Sequence, residues 1–529
     1  MKKIALSDEQ EIITDCHDYF ININAFAGTG KTTTLLNYAL KNPKQKFLYI
    51  CYNKSIQLHA EKIFPSNVKV KTTHSLAYGY TGCHYRHKLK AFITPQNIMD
   101  AFGDNIKKVK NPLVFSNMII KTLEEFCYSQ ELTISENHVP LDILGSTIPL
   151  NQLDKGINSI IKYSSAIFDR MINVADPMPI THDVYMKLFQ LNINNFKINF
   201  DTIMLDEAQD ANPVLLDVIS KTDSKKIFVG DSYQSIYHYR GAFNALKNTE
   251  ATNFYLTNSF RFGQDVADCS NIILRLSGEQ QTLKGRGKTD VTSSRYINKE
   301  KGKRVVLFRN NAAIMDKIYK EDNDKIKYFI EGGFESYGFN EIKEIINMQN
   351  GKKSEHHLFK NFKDIEQVKE QATILDNKPL LTKIILAEKI RTVSHFNRIQ
   401  NRIVKEEKYA DVFLSNTHKV KGKEFDTIEL YPDFCTPINP NFSIKNNDKE
   451  SEVIYHVIPE FQEEANISYV ALTRVKSKLY LPEEWMKWIN KLESCMNNGI
   501  GDGVKATNEA KLLLPTPTIK NESRRTPKR

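Results

Sequence analysis

Residues Ile21–Leu36 read ININAFAGTGKTTTLL, and this stretch decides the fold. The run Ile21–Ala25 has the β-branched, apolar character of a buried strand, and Thr33-Thr34-Leu35-Leu36 can open a helix. Between them, Gly28 and Gly30 allow a tight loop whose backbone N–H groups point at phosphate oxygens. Lys31 is placed to reach the β- and γ-phosphates of a nucleotide, and the Thr32 hydroxyl can ligate Mg²⁺. The candidate nucleotide-binding residues here are Ala25, Phe26, Ala27, Gly28, Thr29, Gly30, Lys31, Thr32 and Thr33. Ala25 stands where the strict phosphate-loop pattern has glycine.

Similar apolar runs lie outward from this point. Phe47–Cys51 leads into Tyr-Asn-Lys, Thr202–Leu205 into Asp-Glu, and Ile227–Val229 into Gly-Asp. Strands that end in polar loops indicate a parallel α/β sheet with its chemistry at the carboxyl ends of the strands. Val305–Phe308, Val412–Leu414 and Ser477–Leu481 repeat the pattern, so two such sheets are expected. The first sheet domain is expected to comprise residues 1–85 and 196–250, the second 251–350 and 409–490. Residues 86–195 are mainly helical in pattern and read as an inserted domain, and 351–408 as a second, short helical insertion. A basic tail, 491–529, closes the chain. Its last part, 501–529, carries three prolines and seven basic against three acidic residues, a composition expected to be disordered.

The chain has 529 residues, which suggests about two to four domains. Hydrophobic residues are 41% and charged residues 26%, the balance of a globular protein. No apolar run reaches the ~18 residues that span a bilayer, and no membrane partner is expected. The seven cysteines are scattered with no CxxC pair, so neither a zinc site nor an iron–sulfur cluster is signalled. The net charge of +10 fits a nucleic-acid partner.

Two further segments carry chemistry. Leu205–Asp210 reads LDEAQD. Asp206 is placed to hold Mg²⁺ through its water shell, and Glu207 to orient or deprotonate the attacking water. Gly230–Ala242 reads GDSYQSIYHYRGA. Asp231 and Gln234 suit a nucleotide and its water, whereas Tyr237, Tyr239 and Arg240 suit a nucleic-acid strand. Bases stack on aromatic faces at ~1–3 kcal/mol each, whatever the sequence. A segment that touches both is what a motor needs.

Taken in order, these motifs resemble superfamily 1 DNA helicases of the UvrD/Rep type. VGDSYQSIYHYRGAFNAL and YLTNSFRFG are most similar to the F-box DNA helicase branch. The resemblance runs from about Leu6 to Leu481. It implies an α/β architecture of two RecA-like parallel-sheet motor domains of the P-loop NTPase type, each with a mainly helical insertion. It implies ATP and Mg²⁺ as cofactors, with Thr32 and Asp206 at the metal, and Lys31, Asp206, Glu207, Gln234, Arg261 and Arg474 as the catalytic set. Arg261 and Arg474 would neutralise charge on the transferring phosphoryl group. Gln10 in LSDEQ looks like the glutamine that reads adenine, and Phe260, where the family usually has tyrosine, like the ring that stacks on it. Gln234 would sense the γ-phosphate. Glu424 in HKVKGKEFD looks like the ribose contact. On the strand side the resemblance implies Tyr52, Asn53, Thr73, His74, Tyr237, Tyr239, Thr417 and His418.

The activity so implied is ATP-dependent movement 3′ to 5′ on single-stranded DNA, coupled to strand separation or displacement of bound protein in repair or recombination. The alternative is a DNA-stimulated ATPase that remodels recombinase filaments or gates a partner nuclease with little unwinding. The expected partners are single-stranded and tailed duplex DNA, with a recombinase filament or nuclease as further candidates. Oligomeric state stays open. The location would be cytoplasmic, at the nucleoid, for a prokaryotic source and nuclear for a eukaryotic one. The second insertion is much shorter than in the large bacterial members, which favours translocation over processive unwinding. The motor motifs begin almost at Met1, so ubiquitin-ligase assembly through an F-box is not implied.

Overall fold

The computed structural model describes residues 5–109, 111–237, 243–247, 250–294, 304–321, 323–356, 358–360, 362–434, 443–446, 453–456, 461–487, 489 and 505–506. The chain divides into two compact units. One is Met1–Leu256 with Asn311–Ala410, and the other Thr257–Asn310 with Asp411–Arg529.

The first unit is built on a parallel sheet. Its elements, in chain order, are α1 (Asp8–Thr14), β1 (Phe20–Ala25), α2 (Lys31–Lys41), β2 (Phe47–Cys51), α3 (Lys54–Ile63), β3 (Val68–Thr72) and α4 (Thr73–Tyr80). After an inserted stretch come β4 (Thr202–Asp206), β5 (Lys225–Gly230) and β6 (Thr252–Leu256). The strand order is β3-β2-β4-β5-β1-β6. β5 therefore lies between the strand that opens the glycine loop and the strand that ends in Asp206. In this arrangement all three strands deliver their loops to one edge of the sheet.

Both faces of the sheet are covered, as a parallel sheet requires. β2 shows why the sequence folds this way, since successive side chains point to opposite faces. Leu48 and Ile50 join one apolar cluster with Ile203 and Leu205 of β4, while Phe47, Tyr49 and Cys51 join a second with Ile23, Leu35 and Met204.

The inserted stretch is helical: α5 (Pro95–Phe102), α6 (Asp104–Lys107), α7 (Pro112–Tyr128), α8 (Leu141–Thr147), α9 (Leu153–Ile172) and α10 (His182–Leu191). Its apolar residues, among them Ile119, Leu123, Ile160, Ile167 and Phe189, belong to the same cluster as Leu48 and Ile203. The insertion thus shares its core with one face of the sheet. Two buried lysines fasten it. Lys88 Nζ donates to the carbonyls of Arg170, Asn173 and Asp176 at 3.3, 2.6 and 2.9 Å. This places a cation at the carbonyl end of α9, where the helix dipole is negative. Lys187 is fully buried, donates to the carbonyls of Ser129 (3.0 Å) and Glu131, and sits 4.2 Å above the Phe126 ring.

The rest of the first unit is helical as well, with helices Asn311–Lys320, Phe339–Gln349, Ile365–Ile374, Lys378–Ile390 and Val393–Gln400 and the short parallel pair Tyr328–Ile330 and Ile403–Val404. Buried Arg402 donates to the carbonyls of Ile318, Glu321 and Asn323, closing the end of the first of these helices.

The second unit is also built on a parallel sheet. Arg304–Phe308 pairs with Val412–Asn416 on one side and Phe425–Leu430 on the other, followed by Val475–Leu481 and Asp290–Ser293. Every apolar run singled out in the sequence is a strand of one of these two sheets, so the chain is an α/β protein of two parallel-sheet modules.

The expected boundaries differ from this division in two places. Thr252–Leu256, assigned above to the second domain, is the edge strand of the first sheet, running from Thr252 opposite Ile21 to Leu256 opposite Ala25. Residues 311–350, also assigned to the second domain, fall in the first unit together with the 351–408 helices. The tail 491–529 lies outside the described residues apart from 505–506. Among the described residues no helix is long and apolar enough to cross a membrane.

Candidate nucleotide and strand-binding site

Gly28 and Gly30 both adopt positive φ, 75° and 86°, a region in which a side chain would be strained. Gly30 is the N-cap of α2 and supplies no side-chain cap. The first N–H groups of α2 therefore keep the donor character that suits phosphate. Ala25 closes β1 opposite Leu256 and is not among the residues of positive φ. Its methyl therefore costs nothing, which accounts for the departure from the glycine pattern. Gln10 is buried beside the loop. It completes a capping box with Ser7, and its Nε2 donates to the Thr29 carbonyl at 3.4 Å. A Cβ on Gly30 would lie 2.8 Å from that nitrogen. Thr29 Oγ1 donates to the Phe26 carbonyl at 2.7 Å, closing the loop on itself.

Lys31 stands on the first turn of α2, and its ammonium is 3.3 Å from Glu207 Oε2. Both side chains are largely shielded from solvent, at 15% and 17% exposure, so each charge depends on the other. Glu207 adopts a left-handed backbone, φ 53° and ψ 44°. Such a conformation costs of order 1–3 kcal/mol in a non-glycine residue and concentrates at functional sites. Asp206 is buried. Its carboxyl accepts from the Glu207 N–H (3.0 Å) and from the Tyr49 hydroxyl. Burial pushes its pKa above the ordinary carboxylate value, with the Glu207 charge adding to the rise and Lys31 opposing it. Burial and Asp206 likewise hold the Tyr49 phenol well above its usual pKa, so it remains a donor. A carboxylate and a threonine hydroxyl are oxygen donors of the kind that suit a hard cation such as Mg²⁺. Thr32 and Asp206 are the residues that would hold it.

From β5, Asp231 and Gln234 enter the same region. Both are buried, and Gln234 Nε2 donates to Asp231 Oδ2 at 2.7 Å. Sequence reasoning missed Tyr49 and Gln209. Gln209 is fully buried and donates to Glu207 Oε2 at 2.7 Å. For Tyr49 the only sequence signal was polarity in apolar surroundings, a tyrosine within FLYIC; Gln209, inside the acidic LDEAQD, gave none.

The candidate strand residues fall into three groups. Tyr52 and Tyr237, 185 positions apart in the chain (237 − 52), stack face to face, with centroids 5.2 Å apart and planes 12° from parallel. Asn53 caps α3, accepting from the Ile56 N–H at 2.9 Å. Thr73 opens α4, directly after β3. His74 is exposed; its Nε2 is 3.2 Å from Asp183 Oδ1. Tyr239, with Arg240, lies outside the described residues.

Within the second unit, three nucleotide candidates meet. Arg261 Nε donates to Glu424 Oε1 at 2.8 Å and Arg261 NH1 to the Thr473 carbonyl at 2.8 Å, next to Arg474. Phe260 beside it is 57% exposed, as a stacking ring needs to be. Arg474 is buried and donates to the Val470 carbonyl and Thr473 Oγ1, at the end of the helix Gln462–Leu472. Thr417 is fully buried, and its hydroxyl donates to the Phe308 carbonyl at 3.4 Å. In this structure it fastens two strand ends, and His418 is the more exposed of the two.

The UvrD/REP helicase N-terminal domain model matches residues 6–254, and the UvrD-like helicase C-terminal domain model matches 158–483. The chain belongs to the UvrD-like helicase family. It is similar to F-box DNA helicase 1 of Gallus gallus, 31% identical over 519 residues, covering 91% of this chain and 49% of that protein. F-box DNA helicase protein 1 of Schizosaccharomyces pombe is 29% identical over 519 residues, covering 90% of this chain and 57% of the relative. ATP-dependent DNA helicase PcrA of Staphylococcus epidermidis is 26% identical over 211 residues, 33% of this chain and 27% of that protein. The chain thus spans about half the length of the two F-box helicases it matches.

Proposed function

We propose that this chain is an ATP-dependent DNA helicase that moves 3′ to 5′ on single-stranded DNA. The observation that carries the reading is the meeting of Lys31 and Glu207 at 3.3 Å in front of a helix N-terminus whose loop glycines are left-handed. Phosphates compete with Glu207 for the Lys31 ammonium. Binding of the triphosphate therefore turns the Glu207 carboxylate toward the attacking water, from which it takes a proton. Mg²⁺ held by Thr32 and Asp206 would neutralise charge on the β- and γ-phosphate oxygens. Gln10 is assigned to the adenine, Phe260 to stacking on it, Glu424 to the ribose, and Arg261 and Arg474 to charge on the γ-phosphate. Tyr52 and Tyr237 offer a stacking platform that suits any base. His74, Asn53, Thr73 and His418 would line the strand, and Tyr239 would extend the platform.

The relatives' names support DNA as substrate. Repair or recombination is the process we assign, at the nucleus for a eukaryotic source and the nucleoid for a prokaryotic one. Polarity is tested by unwinding of duplexes tailed on one strand only. Strand release from a 3′-tailed duplex and none from a 5′-tailed one is expected; the reverse overturns the assignment. The short 351–408 insertion supports a second reading, displacement of protein from a strand with little unwinding. A recombinase-displacement assay on the same DNA separates the two.

A further inference from the structure

Gln209 carries none of the roles assigned above, yet its side chain joins two of the segments that do. Its Nε2 donates to Glu207 Oε2 at 2.7 Å, and its Oε1 accepts the Asp231 N–H at 3.1 Å. Its own carbonyl accepts from Ser235 Oγ at 3.1 Å. The orientation of the amide follows from chemistry, because only its nitrogen can face a carboxylate and only its oxygen can face an N–H. Asp231 in turn holds Gln234 through Oδ2 and the Tyr233 N–H through Oδ1, at 2.7 and 3.1 Å. Tyr237, two residues beyond Ser235, stacks on Tyr52. The room for this bridge is made by Gly230. A Cβ there would lie 2.1 Å from Gln209 Oε1. A buried glutamine with satisfied ends is commonly a structural fastener. This one differs in what it fastens, namely the carboxylate of the proposed base and the backbone of the loop that carries Gln234 and the strand-stacking tyrosine.

We propose that Gln209 is a positioning residue that ties the placement of Glu207 to that of the segment 231–237 and so links ATP hydrolysis to the grip on the strand. The inference rests on the helicase reading. In the hydrolytic step the water oxygen bonds the γ-phosphorus, the bond from that phosphorus to the ADP oxygen breaks, and the water proton passes to Glu207. A hydrogen bond to a carboxylate is about twice as strong as one to a neutral group. Movement of Glu207 toward the water therefore carries the Gln209 amide with it. The other end of that amide holds Asp231, at the start of the loop that ends in Tyr237. In the opposite direction, a base stacked on Tyr52, which Tyr237 backs, steadies the loop and, through the same amide, the orientation of Glu207. This is how DNA would stimulate the ATPase.

The test uses the full chain, with steady-state ATPase measured without DNA and with saturating oligo-dT. Gln209→Met keeps length and burial but removes both hydrogen bonds. Gly230→Ala leaves Gln209 in the chain and displaces its oxygen. In both variants the KM for ATP is expected to stay within about twofold of wild type, while the DNA-stimulated rate relative to the DNA-free rate falls roughly tenfold, the size of one lost charge-assisted bond. A lowered melting temperature with the stimulation ratio intact in either variant would show Gln209 to be structural and overturn the proposal. If Gln209→Met shows no cooperative unfolding, Gly230→Ala decides alone. A wild-type protein whose ATPase ignores DNA would instead refute the helicase reading, and this link with it.

Discussion

Replacing Tyr52 with alanine removes the outer ring of the aromatic pair. Tyr237 lies at 5.2 Å against one face of that ring, with planes 12° apart, and is itself 8% exposed, whereas Tyr52 is 37% exposed. A base would stack on the face of Tyr52 away from Tyr237. Loss of that stack costs ~1–3 kcal/mol, which raises the Kd for single-stranded DNA about 5- to 150-fold. Tyr237→Ala acts through its partner, because it leaves Tyr52 without the ring that orients it. Aromatic pairs of this kind carry ~0.5–1.5 kcal/mol, so the two substitutions should be non-additive by about that much. The assay is fluorescence anisotropy of a labelled oligo-dT at several salt concentrations. Stacking releases no counterions, so the slope of log Kd against log salt should be unchanged. The KM for ATP should also hold, since neither ring is among the nucleotide candidates. Additive losses, a changed salt slope, or a raised KM with DNA affinity intact would refute the reasoning.

Other outcomes follow from the same geometry. Gly30→Ala would force a side chain into φ 86° with its Cβ 2.8 Å from Gln10 Nε2. The strain, ~1–2 kcal/mol, should weaken nucleotide binding about tenfold in a titration with a fluorescent ATP analogue. Lys187 provides a pH test of the inserted helices. Burial lowers its pKa from 10.5 to about 8. Below about pH 8 both folded and unfolded chains hold the proton and the burial penalty is complete. Between about pH 8 and 10.5 the unfolded chain holds more protons, so stability rises with pH, by up to about 3 kcal/mol. Urea melts should show wild type gaining on Lys187→Met across that window; a pH-independent difference would contradict the assignment.

The nucleotide chemistry was legible because each piece is contiguous. A glycine loop, a lysine and a threonine follow one strand, and an Asp-Glu pair ends another. Parts that depend on neighbours distant in the chain were not legible. Tyr49 looks like core within FLYIC until β4 sets Asp206 against its hydroxyl. Gln209 looks like a surface residue of an acidic turn until β5, inserted between β4 and β1, brings the Asp231 N–H to it. Thr417 reads as a strand contact, but its partner is the Phe308 carbonyl, 109 residues away. The misplaced boundary near residue 250 has a similar cause. Thr252–Leu256 is an edge strand with only Leu256 buried, and it runs almost directly into the Asn258–Ser259 segment of the other unit. No change in composition marks the junction.

Glu207, held by Lys31 and Gln209, is proposed to act as the base of a DNA-dependent ATPase. The most direct test of that role is the rate of phosphate release by purified wild-type and Glu207→Gln protein at saturating ATP and oligo-dT, beside their affinities for ATP. The variant is expected to bind ATP about as well as wild type and to lose at least about 10²-fold in rate, the lower bound for removing a positioned base. Full DNA-stimulated turnover by Glu207→Gln would contradict the claim.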